Sequence, residues 1–340
     1  MSKRKLNKQQ QKRIEDNMRS LADNDAQQLL TGLVITHYGK EVDVIAIDDA
    51  GNRIRGSEQR CHFRANLPTL VCGDKIRWRN ANETSETGIV ESLLLRETLI
   101  ERPRPYQDPK PVAANIDLIV LVIAPAPEPI ASLIDRYIIA AENAHIPLAI
   151  VLNKTDLVET LNNRALSDEL EMLCSLYRSL GYPVYKFRTL DGEDAEADRS
   201  PLIELLREKT SILVGQSGVG KSSIINSLLG NSEAAVSQIS SSNEKGRHTT
   251  TTSQMYFIDE GNTAIIDSPG VREFGLWHLD TSAIIYGLRE FRDYAASCKF
   301  RDCEHGVSKG CALQEAFDTG KISASRIASY HHILNSRDNN

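Results

Sequence analysis

Hydrophobic and polar positions alternate over short runs between Gly32 and about Arg96: Leu33-Val34-Ile35, Val42-Asp43-Val44-Ile45-Ala46-Ile47, Cys61-His62-Phe63 and Lys75-Ile76-Arg77-Trp78. Polar stretches at Asp48-Asp49-Ala50-Gly51-Asn52 and Gly73-Asp74 separate them as turns do. Period-two alternation in runs this short predicts strands with one buried face, and their spacing predicts a small closed barrel of the OB type. Barrels of this kind often bind single-stranded or looped RNA through cationic and aromatic side chains. Arg53, Arg55, Arg60, Arg64, Arg77 and Arg79 are candidates for such a face; a barrel that serves only as a brace is the alternative on pattern alone.

The pattern then changes. Residues 101–111 hold four prolines and no periodicity, which reads as a linker. Beyond it, apolar runs at 116–123, 148–152, 184–187, 211–214 and 263–266, interrupted only by Asp117, Lys186, Ser211 and Thr263, alternate with helical periodicity at about 133–144, 165–180, 201–209 and 221–229. In the first of these helices Ile134, Tyr137, Ile138 and Ala141 share one face. Strands apolar at nearly every position and separated by helices predict a doubly wound α/β sheet whose ligand lies at the carboxyl ends of the strands. Near the end of the chain, 312–317 and 322–334 read as short helices.

Three of the predicted strand ends carry chemistry. Gly215-Gln216-Ser217-Gly218-Val219-Gly220-Lys221-Ser222 follows one strand and opens a helix, the context that a phosphate loop requires. The glycines let successive N–H groups and the helix N-terminus face phosphates, Lys221 reaches the outer phosphates, Ser222 can ligate magnesium, and Ser223 completes the candidate nucleotide-binding set. Asp267-Ser268-Pro269-Gly270 ends another strand, which places Asp267 to hold magnesium through water and the Gly270 amide to face the terminal phosphate. Asn153-Lys154-Thr155-Asp156 ends a third. A carboxylate at Asp156 can accept two parallel hydrogen bonds from the guanine ring N–H and exocyclic amine, which adenine does not offer, while Asn153 and the Lys154 stem complete the pocket.

Of six cysteines, Cys61, Cys72 and Cys174 are scattered, whereas Cys298, Cys303 and Cys311 crowd with His305 into fourteen residues. Three thiolates and an imidazole suit tetrahedral zinc in one closed structural site, stapling a module with few apolar residues of its own. His278, His331 and His332 lie outside the cluster and read as surface or packing residues.

Charge and length set the frame. At 340 residues the chain suits two or three domains. Its net charge of -6 argues against a protein that coats nucleic acid everywhere, yet six of the first thirteen residues are Lys or Arg and the first acid is Glu15. That basic segment is low in large apolar side chains and reads as a mobile extension. No run approaches the ~20 apolar residues of a membrane span, and the start is polar where a signal peptide needs an apolar stretch, so a cytoplasmic protein without a membrane partner is expected.

The guanine motif precedes the phosphate loop, the reverse of the usual GTPase order, as circular permutation of the sheet produces. With a barrel in front and a Cys/His cluster behind, the chain from about residue 32 closely resembles the ribosome-small-subunit-dependent GTPase A family. The resemblance implies an extension at 1–31, an OB barrel at 32–100, a permuted GTPase domain at 101–275 and a mainly helical zinc module at 276–340. It implies GTP and GDP with Mg2+ as cofactors, GTP hydrolysis slow alone and stimulated by the small ribosomal subunit, the subunit and its rRNA as partners, a role in late maturation with factor release, and a monomer. Gly246-Arg247-His248-Thr249-Thr250-Thr251 looks like the family's first switch. Thr249 or Thr250, with Thr250 preferred, would bond magnesium and the terminal phosphate.

Val271 stands where many GTPases carry a Gln that orients the attacking water, so the resemblance points to His248 for that role, with Lys221 and Thr250 beside it. No arginine finger is placed by the sequence; Arg247 and Arg272 are open candidates. The base-side loop falls near Arg188-Thr189-Leu190, which departs from the family's small-residue pattern and is left unassigned. The second switch runs directly into the zinc module, which implies that a phosphate-dependent shift reorients that module. Two other readings compete: an RNA-binding protein with a structural nucleotide, against which Lys221, Ser222, Thr250 and Asp267 argue, and a metal-handling GTPase, against which a closed four-ligand site argues.

Overall fold

The computed structural model describes residues 29–80, 87–104, 107–161, 163–188, 195–229, 253–268, 279–300, 303, 305 and 310–337. Residues 1–28 of the basic extension, the first switch with His248, Thr249 and Thr250, and Pro269, Gly270, Val271 and His278 lie outside the described residues.

Strands β1 (Leu30–His37), β2 (Glu41–Ala46), β3 (Gln59–Phe63), β4 (Lys75–Arg79) and β5 (Gly88–Leu93) close on themselves in the order β1-β2-β3-β5-β4-β1. Only β3 and β5 pair in parallel. The alternation seen in the sequence puts Val34, Val42, Val44, Ile76, Trp78 and Val90 inside the barrel. Gly32 is required there, because a Cβ would stand 2.5 Å from the Trp78 indole nitrogen and 2.6 Å from Val44.

The predicted linker is instead a hairpin, β6 (Leu99–Arg104) with β7 (Gln107–Ala114). A two-stranded ribbon consists wholly of edges, so prolines remove no interior ladder bond, and two bulges absorb the misfit.

The nucleotide domain is a six-stranded sheet in the order β10-β9-β8-β11-β13-β12. It comprises β8 (Leu118–Ile123), β9 (Leu148–Leu152), β10 (Val184–Lys186), β11 (Thr210–Val214), β12 (Gln254–Phe257) and β13 (Ala264–Asp267). All pairings are parallel except the β12–β13 hairpin. Both faces are covered, which explains the apolar runs. Ile119, Leu121 and Ile123 face α1 (Ala131–Asn143) and α3 (Arg164–Ser179), while Leu118, Val120 and Val122 face α4 (Ala195–Leu206) and α5 (Lys221–Leu229). A short helix, α2 (Asp156–Leu161), follows β9.

The carboxyl-terminal module comprises α6 (Thr281–Tyr286), α7 (Arg289–Ala296), α8 (Ala312–Asp318) and α9 (Ala324–Arg337) around Phe291, Leu313, Phe317 and Tyr330. Ile139 of α1 belongs to the same core, so the module is seated on the nucleotide domain. None of the helices among the described residues is long and apolar enough to cross a membrane.

Candidate nucleotide and metal sites

The strand order brings the carboxyl ends of β8, β9, β11 and β13 together, and both nucleotide motifs meet there. Leu152 ends β9 and Val214 ends β11, so the guanine motif and the phosphate loop begin where their strands stop. Val219 anchors the loop by burying its side chain completely in the core under α5, while Ser217, Gly218, Ser222 and Ser223 stay exposed. Gly215, Gly218 and Gly220 have φ of 134°, 85° and 93°, which side-chain-bearing residues rarely adopt.

Space enforces the same choice. A Cβ on Gly215 would lie 2.2 Å from the Val122 carbonyl oxygen, and one on Gly220 would lie 2.4 Å from Asn153 Nδ2. That amide clamps the two motifs together by donating to the Val219 carbonyl at 2.9 Å. Lys154, itself at φ 59°, adds a second clamp, its Nζ donating to Gly218 O at 2.6 Å and Ala126 O at 3.0 Å. Thr155 ties the motif to the end of β10 through Phe187 O at 3.4 Å. Asp156 is exposed at the first position of α2. Lys221 Nζ bonds the carbonyls of Gly215 and Gln216, both at 2.8 Å, so its charge sits at the mouth of the loop and the start of α5.

These residues fit a guanine nucleotide. The glycine-lined cradle admits no side chains, the amides at the head of α5 favour an anion, and Asn153 Oδ1 is buried with no partner among the described residues. Asp267 closes β13 on the same side, paired in register with Gln254. Sequence reasoning placed each motif but not the Asn153–Val219 clamp. Its signal was the glycine at 220, small enough to leave room for a neighbour.

The second constellation lies in the carboxyl-terminal module. One ligand atom from each of Cys298, Cys303, His305 and Cys311 falls within 4.8 Å of the others. Cys298 Sγ lies 3.4 Å from His305 Nδ1 and 4.0 Å from Cys311 Sγ, spacings of the size a shared ion imposes. The Lys299 amide donates to Gly310 O at 3.1 Å, drawing the two arms together, and Cys311 caps α8 by accepting from Gln314 N. Burial opposes ionisation of Cys298, but the amides of Leu313 and Ala312 outweigh it and hold the thiol below its usual range. Burial likewise lowers His305, keeping its imidazole neutral. Cys303 goes the other way: an amide bond at His305 lowers it, but burial and the neighbouring thiols of Cys311 and Cys298 push it up, so within the cluster the proton leaves Cys298 first.

The arginines expected on the barrel face divide. Arg53 and Arg55 turn away from it toward the β12–β13 turn. Arg53 Nε donates to Gly261 O at 2.6 Å, a second nitrogen bonds Asp259 O, its guanidinium lies 4.1 Å over the Phe257 ring, and Arg55 pairs with Glu260 at 3.1 Å. Arg60 pairs with Asp43 and Glu41, and Arg64 and Arg79 with the buried Glu91. Two of the six therefore fasten the barrel to the nucleotide domain.

A phosphate loop and a guanine motif on a doubly wound sheet, in permuted order, define a circularly permuted P-loop GTPase. The RsgA GTPase family model matches residues 93–277, and this chain belongs to that family. It is 44% identical over 98% of its length, and 96% of the relative's, to "Small ribosomal subunit biogenesis GTPase RsgA" of Marinobacter nauticus. It is 41% identical over 99% of its length, and 96% of the relative's, to the protein of that name in Haemophilus influenzae. YjeQ of Thermotoga maritima superposes with a TM-score of 0.69 at 26% identity, covering 91% of this chain and 98% of that one. YloQ, described as a circularly permuted GTPase, shares the fold with a TM-score of 0.67 at 23% identity over 93% of this chain and 97% of that one. The chain is a GTPase, and its family implies GTP, GDP and Mg2+.

Proposed function

We propose that this GTPase binds the immature small ribosomal subunit and couples GTP hydrolysis to late maturation and its own release, with the subunit raising a slow unassisted rate. The observation that carries the reading is the Asn153 and Lys154 clamp on the phosphate loop, which makes two distant motifs one guanine site between a barrel and a Cys/His cluster. Near full-length relatives named for small-subunit biogenesis support the partner.

The bound nucleotide supplies a phosphoanhydride whose hydrolysis switches the protein between two states. Asp156 selects guanine, Lys221 and the amides of 215–223 hold the phosphates, and Ser222, Thr250 and Asp267 hold magnesium, with Gly270 facing the terminal phosphate. His248 would orient water, for which its imidazole would have to accept a hydrogen bond. Cys298, Cys303, His305 and Cys311 hold one structural zinc. The barrel meets rRNA with what remains of its basic face, the extension at 1–31 adds charge, and the divisions at 32–100, 101–275 and 276–340 stand as functional units of a cytoplasmic monomer.

Co-sedimentation with purified small subunits tests the reading. The protein should pellet with them in a non-hydrolysable GTP analogue and stay in the supernatant with GDP; equal behaviour in both nucleotides would contradict a release cycle.

A further inference from the structure

The β12–β13 hairpin joins the first switch to Asp267, and the barrel grips it at both ends. At the turn, Arg53 takes the carbonyls of Asp259 and Gly261, and Asn262 Nδ2 donates to Asn52 Oδ1 at 3.1 Å. At the open end, Thr36 of β1 pairs with Gln254 and the single S–H of the fully buried Cys72 is shared between Ser253 O at 3.1 Å and Ile35 O at 3.3 Å. Ser253 in turn bonds Ser268, Oγ to Oγ at 2.8 Å, and Ser268 is only 5% exposed. Ser268 is the residue immediately after Asp267.

We infer that the Ser253–Ser268 hydrogen bond is a positioning contact for the Asp267 carboxylate, and that the barrel sets it through Cys72 and the β1–β12 bridge. A carboxylate that acts through a water on magnesium tolerates little displacement, since the water must reach both partners at hydrogen-bond and coordination distance. Asp267 itself has the backbone pairing of β13 behind it, but the chain leaves the sheet at the next residue. There the buried Ser268 hydroxyl is the side-chain tether among the described residues. Removing one hydroxyl also leaves the other without its mate in a partly buried place, so either serine should cost the same function. Nothing in this contact touches the base or the loop carbonyls, so the effect should fall on the magnesium step alone. The inference rests on Asp267 holding magnesium.

The test is release of a fluorescent GDP analogue from the full-length protein as Mg2+ is titrated, alongside GTP turnover. Ser253→Ala and Ser268→Ala should each raise the Mg2+ concentration for half-maximal slowing of release about fivefold, the size of one lost hydrogen bond. The double variant should do no more than either single, Ser253→Thr should stay near wild type, and release without Mg2+ should be unchanged. Cys72→Ala should shift the same way by less, with Cys72→Ser restoring it. Additive shifts, no shift, or an equal change in the absence of Mg2+ would overturn the inference, and an inert Cys72→Ala would remove the barrel from it. Asp267→Asn separates the two layers. If it leaves the Mg2+ dependence intact, the assignment of Asp267 fails; if it abolishes that dependence while the serine variants do nothing, only the positioning contact fails.

Discussion

The two modules flanking the nucleotide domain each share an apolar core with it, but they differ in the element they hold and in the polar contacts added to that core. The carboxyl-terminal module shares a hydrophobic core with α1 through Ile139, and beside that core Arg326, 2% exposed, bridges Asp135 of α1 and Glu290 of α7. Burial pushes the Asp135 carboxyl up, which the Arg326 guanidinium offsets, and Tyr177 donates to it at 2.8 Å. The barrel packs Ile35 and Ile45 into one core with Met255, Phe257 and Ile266 of the β12–β13 hairpin, and adds one bridge, a thiol and a set of arginine-to-carbonyl bonds at a half-exposed turn. The first junction is welded to α1 by a buried ion pair; the second grips the segment that runs from the first switch to Asp267. A shift of the second switch that reorients the metal module must therefore break the Arg326 pair or carry α1 with it, whereas a shift of the hairpin must slide Met255 and Phe257 past Ile35 and Ile45 and release the polar grip at the turn.

The largest effect should come from Arg326→Ala, which strands a buried carboxylate and should lower unfolding stability by about 3–5 kcal/mol in denaturant titration. Arg326→Met, which keeps the volume, also removes the countercharge and tests packing against charge. Gly287→Ala comes next. Its Cβ would sit 2.7 Å from the Ile139 backbone, so overpacking of about 1–3 kcal/mol is expected, with hydrogen exchange rising first in α6 and α1. Arg53→Ala should cost about 1 kcal/mol in the same denaturant titration, because water can replace part of what it donates and the Ile35–Ile45 core behind it stays in place. If Arg53→Ala proved the most damaging of the three, the ranking of the junctions would be wrong.

The smallest effect is a pH dependence at the welded junction. Burial raises the Glu142 carboxyl, but hydrogen bonds from Arg292, Tyr182 and Arg289 outweigh it and hold the group below its ordinary 4.5. A depressed folded value means that this stabilisation is present above about pH 4.5 and is lost as pH falls through the folded value. Acid titration should thus free α7 before α5, as hydrogen exchange would show, and Glu142→Gln should flatten that step.

Much of this was legible in the sequence where local pattern and chemistry coincide. The phosphate loop, the guanine motif and the Cys/His cluster each carry their meaning within fourteen residues, and β8 and β9 announce themselves by being apolar at every position. What escaped depends on distance along the chain. Gln254–Phe257 is four residues with no strong pattern and becomes a strand because β13 and β1 flank it. Proline content hid the β6–β7 hairpin, since an isolated ribbon tolerates prolines that an interior strand would not. Arg53 looked like an RNA contact because nothing near it reveals a partner 208 residues away. Ser253 and Ser268 are ordinary serines until folding sets them side by side.

The central claim is a guanine switch whose hydrolysis answers to the small ribosomal subunit. It is tested most directly by GTP turnover with and without purified small subunits, using Lys221→Ala as the blank and ATP as the wrong-base control. A slow GTP-only rate that rises many-fold with subunits and vanishes in Lys221→Ala is the predicted result. A rate indifferent to subunits would contradict the coupling, and leave a permuted GTPase that answers to some other partner.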